Sequence, residues 1–189
     1  MTHNDASVPV WHTEQSEEVI DCTIFTVRRN WSRVPGTDRT GSFYVLESPD
    51  WVNIVPITTD DQIVLVSQFR HGTGTVSLET PGGLIEPDET PEQAGARELR
   101  EETGYTARSW RTLGATDANP AFMTNRFTIV LAEGCTLTEP TAWDEHEELA
   151  VHLVPLHTLP ELLRSGAIRN TYAALSLMWY LSERMKTEG

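Results

Sequence analysis

The sequence predicts a layered α+β or α/β domain, and three observations carry that expectation. From Val19 to Pro81 the apolar residues fall into short strand-like runs separated by turn formers. At Thr90 the period changes to that of a helix. Further strand-like segments follow, and two helical stretches close the chain. The 189 residues suit one domain, expected over 18–186 behind a polar, flexible arm at 1–17. At 39 % hydrophobic residues a chain of this length can build a real core.

Taken in order, VIDCTIFTVR (19–28) is rich in β-formers and reads as a strand, and NWSRVPGTDRTGS (30–42) reads as a loop. FYVLES (43–48), WVNIVPIT (51–58) and QIVLVSQFR (62–70) form a meander. Its IVLV run at 63–66 is apolar on both alternating faces and belongs at the sheet centre. TVSLET (75–80) is a short strand that runs into Pro81-Gly82-Gly83. Thr90, Pro91 and Gln93 supply an N-cap, a first-turn proline and a capping-box partner, and Gly104 supplies the stop, so a helix spans 91–103. Strands return at 109–115, 126–133 and 149–156, and helices at 159–166 and 169–185.

A net charge of −14 argues against nucleic acid or an anionic membrane surface as partner, and suits a protein that gathers divalent cations. No run of 18 apolar residues occurs, which argues strongly against a spanning helix, and the first eighteen residues lack the apolar centre expected of a secretory signal. Cys22 and Cys135 are far apart and form no CxxC, so neither a disulfide framework nor a cysteine zinc site is indicated. A reduced, cytoplasmic compartment is expected.

The chemistry concentrates in the helix at 91–103. Glu98, Glu101 and Glu102 stand at i, i+3 and i+4 on one face, with Ala96, Leu99 and Thr103 roughly opposite. Like charges at this spacing repel, and they sit near the helix C-terminus, the wrong end of the dipole. A bare ExxEE is most often a solvated acidic face. Here a hard divalent cation, bound through carboxylate oxygens, would relieve the repulsion.

The surroundings favour that second reading. Gly83, Glu89, Arg97-Glu98-Leu99, Glu101-Glu102 and Gly104 stand at the spacing G-x5-E-x7-R-E-U-x-E-E-x-G-U, where U is a bulky aliphatic residue. This resembles the signature box of the Nudix hydrolases, with one departure at the last position, where Tyr105 fills the aliphatic slot. The resemblance implies an α/β/α sandwich, a mixed sheet between helices with the box as loop–helix–loop. It implies Glu98, Glu101, Glu102 and the Gly82 carbonyl as ligands of Mg²⁺ or Mn²⁺, and structural roles for Gly83, Glu89, Arg97 and Gly104, with Glu89 and Arg97 as an ion pair.

The flanks are similar to the ADP-ribose and nucleoside diphosphate sugar pyrophosphatase branch. They comprise Ser67-Gln68-Phe69-Arg70, then Glu79 before the glycines, Pro120 fifteen residues after Tyr105, NPAFMTNR at 119–126 and DEHEELAVHLVPL at 144–156. On that similarity Arg70 contacts a phosphate, and Glu79, Pro120 and Arg126 lie on the substrate side. Glu145 is then the candidate general base and Glu147 an additional metal ligand, with Glu98 or Glu102 as alternative bases. His146 and His152 read as bystanders, His152 on a sheet surface. The six tryptophans could include a base-stacking residue, but most are expected in the core or at an interface. A homodimer is implied, with the strand at 19–28 and Arg28 and Arg29 facing a partner. Substrates outside the branch would be dinucleoside polyphosphates, coenzyme A or nucleoside triphosphates. A sensor that binds without hydrolysis fits less well, because no box glutamate is missing and no basic helix-turn-helix is evident.

Overall fold

A computed structural model describes residues 8–143 and 148–187. In chain order the strands are β1 (His12–Asp21), β2 (Thr26–Arg33), β3 (Thr40–Glu47), β4 (Trp51–Thr58), β5 (Gln62–Arg70), β6 (Thr75–Glu79) and β7 (Gly82–Leu84). Helix α1 (Pro91–Thr103) precedes β8 (Tyr105–Thr106), β9 (Ser109–Asp117), β10 (Arg126–Leu137) and β11 (Leu149–Pro155). A 3₁₀ turn then leads into α2 (Leu159–Arg164) and α3 (Thr171–Thr187). The chain divides into two compact units, one from Met1–Pro49 with Asp117–Asn125, the other from Asp50–Thr116 with Arg126–Gly189.

The first unit is a three-stranded antiparallel sheet in the order β1-β2-β3. The strand expected at 19–28 is in fact two strands and the turn between them. The Asp21 carboxylate accepts a hydrogen bond from the Thr23 backbone at 2.8 Å, and Thr23 adopts φ +71°. A β-branched residue there hides the turn, because Thr reads as a strand former. The loop expected at 30–42 shrinks correspondingly to the Pro35-Gly36 turn, its flanks pairing Arg33 with Thr40 and Trp31 with Ser42. β1 also begins at His12, within the stretch read as an arm, and every residue of it is exposed. No apolar alternation marked residues 12–17, since backbone pairing to β2 and the Glu14–Arg33 ion pair hold them. Asp117–Asn125 joins this unit at the β3 edge, where the Leu46 N–H donates to Phe122 O at 2.7 Å and the Thr124 N–H to Leu46 O at 3.1 Å.

The second unit is a mixed sheet in the order β11-β5-β4-β10-β8, with β6 on β5, β7 on β4 and β9 on β10. β4 and β10 run parallel, and both alternate strictly between two apolar layers. Val55 and Ile57 with Phe127, Ile129 and Leu131 face α2 and α3, packing on Leu159, Ala173 and Leu177. Val52 and Ile54 with Val130 and Ala132 face α1, packing on Ala94 and Leu99. Two covered faces make the α/β/α sandwich, and they explain why the IVLV run, paired between β11 and β4, is apolar throughout. Cys135 is buried in the α1 layer, where burial pushes its thiol up to about 12, so it is an inert core residue. Among the described residues no helix is long and apolar enough to cross a membrane.

Candidate active site

The site is built where α1 lies against β7. Thr90 caps the helix as its sequence requires, accepting from the Gln93 N–H at 3.3 Å while the Gln93 side chain accepts from the Thr90 N–H at 2.8 Å. At the far end Gly104, with φ +74°, donates to Arg100 O. Of Ala96, Leu99 and Thr103, the side expected to pack on the sheet, Leu99 and Thr103 are buried. Ala94, Gly95, Leu99, Glu102 and Thr103 are buried, whereas Ala96 is only half-buried. Glu102 therefore lies on the buried side, because that face of the helix presses on the glycine strand.

The two glycines are what that approach demands. β7 pairs antiparallel with β4, Gly83 opposite Val52 and Gly82 opposite Asn53. A Cβ on Gly82 would stand 2.3 Å from the Val52 carbonyl oxygen, and one on Gly83 would stand 2.2 Å from Glu98 Oε1. The absent side chains leave that space to the carboxylate. Glu102 is 5 % exposed, and its Oε2 accepts from the Gly82 N–H at 3.2 Å.

Arg97 fixes the loop to the helix. Its Nε and Nη2 donate to the two oxygens of Glu89 at 2.8 and 2.9 Å, Nη2 reaches Leu84 O at 2.9 Å, and Nη1 donates to Glu98 Oε1 at 2.8 Å. These hydrogen bonds, Glu89 foremost, push the guanidinium above its usual range despite burial, and the same bonds pull Glu89 below the carboxylate range. Glu101 is less enclosed and pairs with Arg97 at 3.4 Å and Arg100 at 3.1 Å.

Beside the glycines opens a cleft of about 350 Å³, lined by Arg70, Glu79, Gly82 and Gly83. Glu79 is 3 % exposed, and Arg70 holds it bidentately, Nε to Oε1 at 3.0 Å and Nη2 to Oε2 at 2.7 Å. Burial opposes its ionisation, but the Arg70 hydrogen bonds and charge, with hydrogen bonds from Ser77 and Asn170, hold it below the carboxylate range.

Sequence reasoning missed most of the other lining residues, among them Trp51 (except as one of six tryptophans), Asn53, Thr80, Asn170 and Tyr172. Asn53 donates to Thr80 Oγ1 at 2.9 Å, and Trp51 meets Tyr172 edge-on with ring centroids 5.2 Å apart. A polar Asn inside an otherwise apolar strand was the available signal for Asn53. Arg126 is not among the lining residues. Its side chain is exposed, while its N–H donates to Asp50. Pro120 belongs to the first unit. Glu145, His146 and Glu147 lie outside the described residues. His152 is on the sheet surface as expected, and its Nε2 meets Ser67 Oγ at 2.7 Å.

A glycine-floored cleft, a bidentate Arg–Glu pair in its wall and a glutamate-bearing helix beneath it define a class, and the NUDIX domain model matches residues 48–175. The chain belongs to the Nudix family of hydrolases. Among curated relatives, the ADP-ribose pyrophosphatase of Mycobacterium tuberculosis is 31 % identical over 170 residues, 89 % of this chain and 82 % of that protein. The ADP compounds hydrolase NudE of Escherichia coli is 30 % identical over 163 residues, 86 % of this chain and 81 % of that one. A solved structure of an ADP compounds hydrolase superposes with TM-score 0.84 at 26 % identity, covering 97 % of this chain and 98 % of that one.

Proposed function

We propose that this chain hydrolyses the pyrophosphate bond of ADP-ribose or a similar nucleoside diphosphate sugar, releasing a nucleoside monophosphate and a sugar phosphate. The observation that carries this reading is the cleft in which Arg70 and Glu79 face the Gly82–Gly83 strand, with Glu98 and Glu102 directly behind it. The names of the relatives support the substrate class. The solved structure's match over 97 % of this chain supports treating 18–186 as one functional domain.

The residues fit a hard divalent cation. Glu98, Glu101 and Glu102 offer carboxylate oxygens, and the glycines clear a cradle that a Cβ would fill. Among the described residues no three such side chains converge by themselves, and Glu98 is turned to Arg97. Mg²⁺ or Mn²⁺ held by these carboxylates and the Gly82 carbonyl, with Glu147, would neutralise the diphosphate and acidify the attacking water. The protein's own work is positioning. Arg70 orients a phosphate, and Glu79 keeps that guanidinium in place. Glu145 takes the proton of the water that attacks one phosphorus. The bridging oxygen leaves with the other phosphate. Pro120 and Arg126 serve the substrate side.

A homodimer and a reducing cytoplasmic setting complete the reading. Val19, Ile20, Phe43 and Tyr44 of the first unit's sheet are exposed, the kind of surface a second copy covers, and both cysteines are unpaired. The test is turnover of ADP-ribose, ADP-glucose, GDP-mannose, dinucleoside polyphosphates, nucleoside triphosphates and coenzyme A with Mg²⁺. ADP-ribose or a nucleotide sugar is expected to give the highest kcat/KM. Preference for triphosphates or dinucleoside polyphosphates would overturn the substrate class, and tight binding without turnover would make the protein a sensor.

A further inference from the structure

The cleft has a neighbour. A smaller cavity of about 160 Å³ shares the Arg70, Glu79 and Asn170 wall with it, and adds Thr73, Thr75 and Ser77 from the β5–β6 hairpin and Arg169 from the α2–α3 connection. Among the described residues the only carboxylate in this lining is Glu79, and it is already satisfied by Arg70, Ser77 and Asn170. Arg169 is exposed and has no ion-pair partner among the described residues. In a chain of net charge −14, a guanidinium that shares a cavity lining with the Thr73 and Thr75 hydroxyls, and that has no ion-pair partner among the described residues, is a local positive site. The hydroxyls of Thr73 and Thr75 lie 2.9 Å apart, and hydroxyls can turn to donate to an incoming oxyanion. The volume is several times the ~30 Å³ share of a water molecule, enough for a tetrahedral oxyanion and too little for a nucleoside.

We propose that this cavity is a second oxyanion subsite, one that receives a phosphate group through Arg169 and the Thr73 and Thr75 hydroxyls. The proposal rests on the reading that the neighbouring cleft takes a nucleoside diphosphate. The phosphate belongs either to the distal sugar of an extended substrate or to a free phosphate held beside it. Arginine suits both, because its planar fork matches phosphate oxygens bidentately.

Inorganic phosphate is titrated calorimetrically into the metal-free wild type, Arg169→Gln and Arg169→Lys. Hydrolysis of ADP-ribose, and of ADP-ribose phosphorylated on its distal ribose, is followed in parallel. Arg169→Gln is expected to weaken phosphate binding at least tenfold, with Arg169→Lys between, at an unchanged melting temperature. If the phosphate arrives on the substrate, Arg169→Gln lowers kcat/KM for the phosphorylated compound at least tenfold and for ADP-ribose less than twofold. If it arrives free, the phosphate titration alone shifts. Phosphate binding that is identical in wild type and Arg169→Gln overturns the subsite. Because the titration needs no turnover, a wild type that fails to hydrolyse ADP-ribose defeats the proposed function while leaving the subsite to be judged by phosphate alone.

Discussion

Glu79 shows how much one buried charge depends on its partners. At 3 % exposure it stays ionised because Arg70, Ser77 and Asn170 outweigh the loss of water. Arg70→Leu strands the carboxylate and is expected to destabilise the fold by about 3 kcal/mol at pH 7. The pH dependence follows from the direction of the shift. In the wild type the folded pKa lies below the unfolded one, so the stability from this group is present above the carboxylate range and lost as pH falls through the folded value. Without Arg70 burial dominates and raises the folded pKa, so the variant's deficit shrinks as pH falls from that raised value through the ordinary carboxylate range. Urea unfolding at pH 7 and pH 4 measures both. Asn170 was read from sequence as part of a helix, yet its Oδ1 caps α3 by accepting from the Tyr172 and Ala173 N–H groups at 2.9 and 3.1 Å. Its role toward Glu79 was illegible, because 91 residues separate the two and only packing joins them. Arg97, Glu89 and the box glutamates were legible because their spacing is local to one loop and one helix.

At the scale of elements, the strand β7 and the helix α1 make opposite demands on neighbouring glycines. Gly82→Ala drives a Cβ into the Val52 carbonyl, a backbone atom that cannot move without breaking the β4–β7 pairing. A loss of about 2–3 kcal/mol is expected. Gly83→Ala meets only the end of the Glu98 side chain, which can swing aside. Its melting temperature should stay close to wild type while turnover falls at least about tenfold, as the carboxylate leaves its place. Calorimetry beside a steady-state assay separates the two. Glu102→Gln keeps an acceptor for the Gly82 N–H and relieves like-charge repulsion on α1, so the fold should hold while activity drops by about two orders of magnitude. Near-normal turnover would move the metal ligands elsewhere. The start and end of α1 were legible from Thr90, Pro91, Gln93 and Gly104, since caps are local chemistry. The burial of Glu102 was not, because the pressure from β7 that turns it inward comes from outside the helix. β7 itself, three residues of it, is too short for any alternation to mark.

For the whole molecule, the excess of acidic residues makes cation binding a stability reporter. A divalent cation that binds only the folded chain adds about 2.7 kcal/mol at a hundredfold excess over its Kd. Millimolar Mg²⁺ is expected to raise the melting temperature of the wild type and to leave that of a Glu98→Gln/Glu102→Gln variant unmoved. The shift should fade as ionic strength rises, because screening weakens the attraction of a chain with net charge −14 for any cation. Equal shifts in wild type and variant would place the cation outside the box helix. The pairing of Leu46 with Phe122 and Thr124 has a temporal side as well. A ribosome delivers β3 long before it delivers Asp117–Asn125, so the nascent first unit waits with Leu46 unpaired until about half of the second has been synthesised. During that interval the β3 margin is an open template for a stray strand. Synthesis halted before Asp117 should therefore yield aggregation-prone intermediates, and rapid translation through β9 should protect against them.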